Sequence, residues 1–252
     1  MEEREQLRVM ELRECMKGYR EDGDDFESAQ RRGVPAPPMQ REYPDALRVI
    51  PLTRDFSDVV VQNDLLRALT GRESRRVYTG GLTLAQVSFL LYATQGVKKG
   101  AKRLSPSAGA RHPLETYLFV NDVTGLDAGL YHYLPLTHKL EYLRAVPDQP
   151  NELSAAFCGQ TFFGFAPVAF VWTCVPYRSE WRYTTAAHKY ALLDAGHVCE
   201  NLYLACEAAG LGTCAIGAYM QEPADALLGL SGGLSCEDTD EFVVYAASVG
   251  RV

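Results

Sequence analysis

The segment AHKYALLDAGHVCENLYLACEAAGLGTCAIG, residues 187–217, decides how the chain is read. Ala195, Val198, Cys199, Leu202, Ala205, Cys206 and Ala209 recur at the spacing of one helical face, which predicts a helix over about 187–209. Gly210 is its natural stop, because glycine accepts the left-handed backbone that ends many helices. Cys214 to Tyr219 then reads as a strand. A long helix turning through a glycine into a strand fits several folds, so the flanking segments must choose among them.

Upstream, Pro167 to Val175 is a near-continuous apolar run, the mark of a buried central strand. Thr116 to Val123 predicts another strand, and Thr124 to Gly129 supplies turn residues. Leu130 to Leu134 follows as its hairpin partner and Leu140 to Leu143 as a third strand, which makes an antiparallel meander. Leu65, Leu66 and Leu69 mark a short helix. Thr83 caps a second helix carrying Leu84, Val87, Leu90, Leu91 and Ala93, and Gly96 stops it. Pro223 to Leu228 reads as a short helix and Glu241 to Val249 as the last strand. Helices and strands are mixed without strict alternation. The expected class is therefore α+β, a mainly antiparallel central sheet flanked by helices, in place of a doubly wound parallel sheet.

With 252 residues and 47% hydrophobic content, the chain can bury a large core without staples. Its net charge of −7 argues against nucleic acid or an anionic membrane as partner, since both select a basic face. No run of eighteen apolar residues exists and the start is charged, so a cytoplasmic location is expected. Seven scattered cysteines without a Cys-x-x-Cys pair read as reduced, mostly buried residues. The first 50 residues hold 21 of the 57 charged side chains, and Gly33-Val-Pro-Ala-Pro-Pro38 breaks regularity there. We read 1–60 as a charged N-terminal extension and 61–252 as the domain. A thin stripe of Leu7, Met10, Leu12 and Met16 leaves two readings open, a solvated tail or an arm that wraps a partner subunit.

Three segments are unusual in composition. Arg72-Glu-Ser74-Arg-Arg76 places three guanidiniums and a hydroxyl in one loop, suited to an anion and equally to a solvated turn. Pro106-Ser-Ala-Gly-Ala-Arg-His-Pro113 is small and rigid, either a backbone surface for a flat ligand or a plain connection. Asp194-Ala-Gly-His197 with Gly210 to Gly217 could expose backbone amides, or could simply cap a helix and pack a strand. The glycines miss the dinucleotide fingerprint. Gly229-Leu-Ser231-Gly-Gly233 matches a nucleophile elbow in letters only, because no strand precedes it and no helix follows. The five histidines lack metal-ligand spacing, so no metal is expected, and His197 reads as a hydrogen-bonded structural residue near a helix start.

In order, Arg72-x-Ser74-x-Arg76, Pro106 to Ala110 with Pro113, Tyr131-His-Tyr133, Ala166-Pro167, Leu193 to His197, Asn201-Leu202, Gly210-Leu-Gly212, Ile216-Gly217 and Val249-Gly250 resemble the nitroreductase superfamily of flavoenzymes. More narrowly, the series is similar to the SagB-type branch, which includes azoline dehydrogenases of peptide natural-product pathways. The resemblance runs from about Arg72 to Arg251.

It implies a homodimer with FMN at the subunit interface. Arg72 and Ser74 would hold the phosphate, with Arg251 as a second ligand and Arg76 near the pyrimidine edge. Pro106, Ser107, Ala108 and Gly109 would contact the flavin of the other subunit, and the Ile216-Gly217 backbone would face its reactive ring. Lys189 and Tyr190 stand where the azoline-dehydrogenase branch has an acid/base pair; the plain reading is a solvated lysine and a packed tyrosine. Implied functions are an FMN-dependent oxidoreductase passing a hydride from NAD(P)H to a nitro compound, quinone or similar acceptor, or oxidation of thiazoline or oxazoline rings in a peptide. A non-catalytic flavin-binding assembly subunit is the alternative of another class.

Overall fold

The apolar run after Pro167 forms the middle of a sheet. The computed structural model describes residues 8–10, 13, 16–17, 27–100, 102–230 and 239–252. Within them seven strands make one antiparallel sheet: β1 (Arg48–Pro51), β2 (Leu114–Val120), β3 (Gly129–Leu134), β4 (Lys139–Arg144), β5 (Val168–Cys174), β6 (Leu211–Ile216) and β7 (Phe242–Arg251). Their order across the sheet is β1-β4-β3-β2-β5-β7-β6. The helices are α1 (Leu65–Gly71), α2 (Leu84–Gln95), α3 (Gln149–Ala156), α4 (Thr161–Gly164), α5 (Tyr177–Tyr183), α6 (Ala187–Ala208) and α7 (Gln221–Leu228).

Side-chain alternation sends each central strand into two cores. From β2, Leu118 and Val120 join α2 and α6 on one face, while Tyr117 and Phe119 join α3, α4 and α7 on the other. β5 divides the same way, with Phe170 and Trp172 against Ala169 and Val171. A strand covered on both faces has no solvent side, which is why β5 is apolar but for Thr173. Trp172 and Phe119 are fully buried, and truncating either to alanine costs about 3–5 kcal/mol.

Local chemistry sets the boundaries. Thr83 Oγ1 accepts from the Gln86 amide at 3.2 Å while the Gln86 side chain accepts from the Thr83 amide at 2.9 Å, a reciprocal cap that opens α2. Gly210, at φ +65°, turns the chain within one residue, so β6 starts at Leu211 and ends at Ile216, earlier than the expected 214–219. β2 likewise spans 114–120 and not 116–123. α7 begins two residues before Pro223, which leaves the proline in the first turn, where no amide is needed. The sequence reading missed α3, α4 and α5. In α5 the buried face carries Arg178 and Ser179 beside Trp181, so no apolar period shows.

Residues 48–51 add the edge strand β1, with Ile50 opposite Leu140. The stretch before it lies along its own chain. The Gln30 amide donates to Trp181 O at 2.9 Å, Trp181 Nε1 donates to Val34 O at 2.8 Å, and Arg41 pairs with Glu241. The stripe read from Leu7 to Met16, the acidic cluster at 22–25, Cys15, Cys236 and Ser231 to Gly233 fall wholly or largely outside the described residues. Cys174, Cys199, Cys206 and Cys214 are free and buried, and Cys158 is free and exposed. No described helix is long and apolar enough to cross a membrane, and no described group of His, Cys, Asp and Glu is arranged to hold a metal.

Candidate functional site

Beyond α1 the chain lies along the open edge of the sheet. Ser74 bridges to Thr213, and the Arg75 amide donates to Thr213 O at 2.9 Å. The Thr79 amide donates to Arg251 O at 2.8 Å, and the Arg251 amide to Gly80 O at 3.2 Å. These backbone bonds bring Arg72, Ser74, Arg76 and Arg251 to one margin. Ser74 Oγ lies 2.8 Å from Tyr203 Oη, which accepts from the Ala215 amide at 2.9 Å. The Arg72 guanidinium stacks 5.2 Å from the Tyr203 ring centre, and Arg76 lies 5.6 Å from that of Phe162. Arg75 takes Glu73 as its partner, whereas neither Arg72 nor Arg76 pairs with a carboxylate among the described residues. Arg72 on the Tyr203 ring beside the Ser74 hydroxyl suits an anion such as a phosphate monoester, with Arg76 a second cation on the same margin. The sequence reading did not single out Tyr203, although it follows Cys199 by four residues on the apolar face of α6 and carries the hydroxyl that joins Ser74 to β6.

The same strand carries Ile216, buried at its end, and Gly217, exposed just beyond. A Cβ built on Gly217 would meet nothing nearer than Tyr245 at 4.0 Å. A planar ligand can therefore approach this backbone closely.

A second group forms elsewhere on α6. The Ala108 amide donates to Asp194 Oδ1 at 3.1 Å, which anchors the turn bearing Pro106, Ser107, Ala108 and Gly109. Pro106 and Gly109 are exposed. Asp194 and Tyr203 are nine residues apart on one helix, about 14 Å along its axis. Within one chain the two groups thus lie apart along α6. Lys189 and Tyr190 belong with the second. They sit half-buried in the first turn of α6. The Tyr190 ring packs edge-on against Tyr183 at 5.0 Å, and Tyr183 Oη occupies the space where a Cβ on Gly109 would go. His197 is exposed in the middle of α6, away from any helix start. His132 and His138 are the buried, hydrogen-bonded histidines instead.

An antiparallel sheet between two helical layers, with arginines and a hydroxyl gathered at one edge and a small-residue turn anchored on α6, defines an α+β protein. The nitroreductase family model matches residues 69–251, and the chain belongs to that family. A Methanocaldococcus jannaschii protein named as a nitroreductase is 33% identical over 168 residues, covering 66% of this chain and 82% of its own. The trifolitoxin-processing protein TfxB of Rhizobium leguminosarum bv. trifolii is 34% identical over 117 residues, covering 44% of this chain and 31% of its own. Among solved structures, one named as a nitroreductase from Ralstonia eutropha superposes with a TM-score of 0.66 at 27% identity, over 86% of this chain and 98% of that one. A chain of the Escherichia coli microcin synthetase McbBCD complex, with truncated pro-MccB17 bound, shares the fold with a TM-score of 0.60 at 19% identity, over 84% and 85%. The SagB-type resemblance read from the sequence agrees with these likenesses.

Proposed function

We propose that the protein is an FMN-dependent oxidoreductase, a homodimer with FMN at the subunit interface, passing a hydride through the flavin between NAD(P)H and a small organic acceptor such as a nitro compound or quinone. The observation that carries this reading is the Arg72 guanidinium beside the Ser74 hydroxyl, with Arg76 on the same margin and neither arginine paired with a carboxylate among the described residues, on the edge where Gly217 leaves its backbone open. Such a donor set fits a phosphorylated planar ring. Arg72 and Ser74 hold the phosphate, Arg251 adds a cation, Arg76 favours negative charge at the pyrimidine edge, and Ile216-Gly217 lines the ring. Pro106, Ser107, Ala108 and Gly109 of the partner subunit close the other side. FMN supplies reversible hydride acceptance there. The exposed leucines Leu65, Leu66, Leu69, Leu192 and Leu193 favour dimerisation, because an interface would remove them from water.

The likeness to a trifolitoxin-processing protein favours a second reading, oxidation of thiazoline or oxazoline rings in a modified peptide. Removing a hydride from one ring carbon requires loss of a proton from its neighbour. In this reading Lys189 and Tyr190 serve as the acid/base pair for that proton.

The test is to purify the protein, record its visible spectrum, release and identify the chromophore, and mix the holoprotein anaerobically with NADPH or with an azoline peptide. Bleaching by NADPH supports the first reading, and bleaching by the peptide alone supports the second. A flavin that neither reduces points to a binding subunit without turnover. A colourless protein that FMN cannot reconstitute overturns all three.

A further inference from the structure

The turn anchored on α6 has an unusual backbone. Gly109, Ala110 and His112 take φ of +54°, +52° and +49°, so three residues of four are left-handed and two of them carry side chains. Such a backbone persists only where its surroundings over-determine it. Two hydrogen bonds do so from opposite sides. Ser107 Oγ accepts from the His112 amide at 2.8 Å, and Asp194 Oδ1 accepts from the Ala108 amide at 3.1 Å. Gly109 closes the top, where a side chain would collide with Tyr183 Oη and come within 3.0 Å of Arg182.

Asp194 is 4% exposed, and no lysine or arginine pairs with it among the described residues. Beneath the turn, Asp194, Ser105 and His112 line a void too narrow for a water molecule. Asp194 Oδ2, Ser105 Oγ and His112 Nε2 have no hydrogen-bond partner among the described residues. Burial raises the Asp194 carboxyl above its ordinary value, opposed by Ser107, the Ala108 amide and His197. His112, buried and faced by Arg103, Arg111 and Arg178, falls to about 3 and is neutral at physiological pH. A carboxylate kept in so dry a place without a cation is destabilised unless its acceptor capacity is used. Its described use is to hold the turn.

We propose that Asp194 is a positioning residue that holds the Ser107–Ala110 turn in the shape required by the flavin of the opposite subunit, so that one chain's helix sets the other chain's cofactor affinity. This rests on the flavin reading above. Asp194 touches no flavin in this scheme and acts through the turn.

Flavin fluorescence titration tests it with the full-length dimer. Asp194→Ala is expected to weaken FMN binding about tenfold, the worth of one charge-assisted hydrogen bond. Asp194→Asn keeps an acceptor oxygen and should recover most of that loss. The deciding sample is a mixed dimer of one Asp194→Ala chain and one Arg72→Ala chain. Action across the interface leaves one site with both lesions and one with none, so the mixed dimer should bind a single FMN with wild-type affinity although neither parent does. A mixed dimer as weak as its parents overturns the inference, and so does an Asp194→Ala dimer that binds like wild type. Should Asp194→Ala not fold, Asp194→Leu, which fills the same space without an acceptor, replaces it in the mixed dimer with the same two outcomes. A wild-type dimer that takes up no FMN overturns the flavin reading and this inference with it, whereas wild-type binding without complementation sinks the inference alone.

Discussion

Gly212 and Gly250 stand opposite one another across the β6–β7 ladder, and the segment bearing the anion cradle lies over both. A Cβ on Gly250 would sit 2.5 Å from Tyr78 Cγ, and one on Gly212 would sit 2.7 Å from Arg75 Cβ. Tyr78 cannot swing away freely, because its hydroxyl donates to Arg75 O at 2.8 Å and lies 2.7 Å from Ser248 Oγ. Gly250→Ala should therefore cost about 1–3 kcal/mol by overpacking and lift residues 72–80 off the sheet. Urea unfolding of the apoprotein reads the first effect and FMN titration the second. Unchanged flavin affinity in a destabilised variant would show that the cradle does not depend on this contact.

Arg72 and Ser74 share Tyr203, yet their replacements should differ in kind. Arg72→Ala removes a forked cation and should weaken FMN binding by ten- to a hundredfold, on the order of 1.5–3 kcal/mol for a hydrogen bond to a charged group. Arg72→Lys keeps the charge and loses the fork and the ring stacking, so it should restore only part of the affinity. Binding isotherms at two salt concentrations separate these contributions, since the charge component alone weakens with ionic strength. Full rescue by lysine would argue against bidentate phosphate contact.

Much of this architecture was legible because its signals are local. The stripe from Ala195 to Ala209, the Thr83 cap and the Pro167–Val175 run each announce their element within fifteen residues. The edge strand Arg48–Pro51 was not legible: four residues in a charged stretch become a strand only because β4 offers an open edge. Gly212 was left out of the expected strand, which began at Cys214, for a related reason. It looks like loop composition, but it lies inside β6 because another backbone segment crosses there, and that approach is visible only in three dimensions. In the candidate site the arginine loop, the Pro106 turn and Gly217 stand out by composition. Tyr203 and Tyr183, which tie those pieces to α6 and Gly109, were hidden among ordinary aromatic residues.

Lys189 and Tyr190 offer a way to separate the two enzymatic readings. Under the azoline reading, Lys189→Met or Tyr190→Phe should lower kcat for the peptide about a hundredfold or more, the usual worth of a positioned acid or base. FMN affinity and reduction by NADPH should stay as they were. Under the general oxidoreductase reading, both variants should turn over a quinone or nitro acceptor at nearly the wild-type rate. Steady-state kinetics with each substrate, alongside the flavin spectrum, decides between them.

His132 lies fully buried between two carboxylates, with Nδ1 2.9 Å from Glu141 Oε2 and Nε2 3.1 Å from Glu115 Oε2, while Arg178 pairs with Glu115 from the other side. Burial opposes charge on His132, but the bonds to Glu115 and Glu141 outweigh it and lift the imidazole to about 9 from its ordinary 6.5. Burial likewise works against an ionised Glu115, and Arg178 and His132 overcome it, bringing the carboxyl to about 2 from 4.5. A raised histidine stabilises the fold fully below its unfolded value and loses that contribution as pH rises through its folded one. A depressed glutamate does the reverse on the acid side. Stability from this cluster should therefore be level between about 4.5 and 6.5, fall as pH climbs toward 9, and fall again as pH drops toward 2. His132→Gln removes the cation between two buried carboxylates, leaving Glu115 to Arg178 and Glu141 without a charged partner among the described residues, and should cost about 3–5 kcal/mol at neutral pH. Its loss of stability between pH 6.5 and 9 should be shallower than that of the wild type, since the group that releases its proton there is gone. Urea midpoints measured across this range check both statements, and an alkaline decline of equal slope in the two proteins would assign it to other groups.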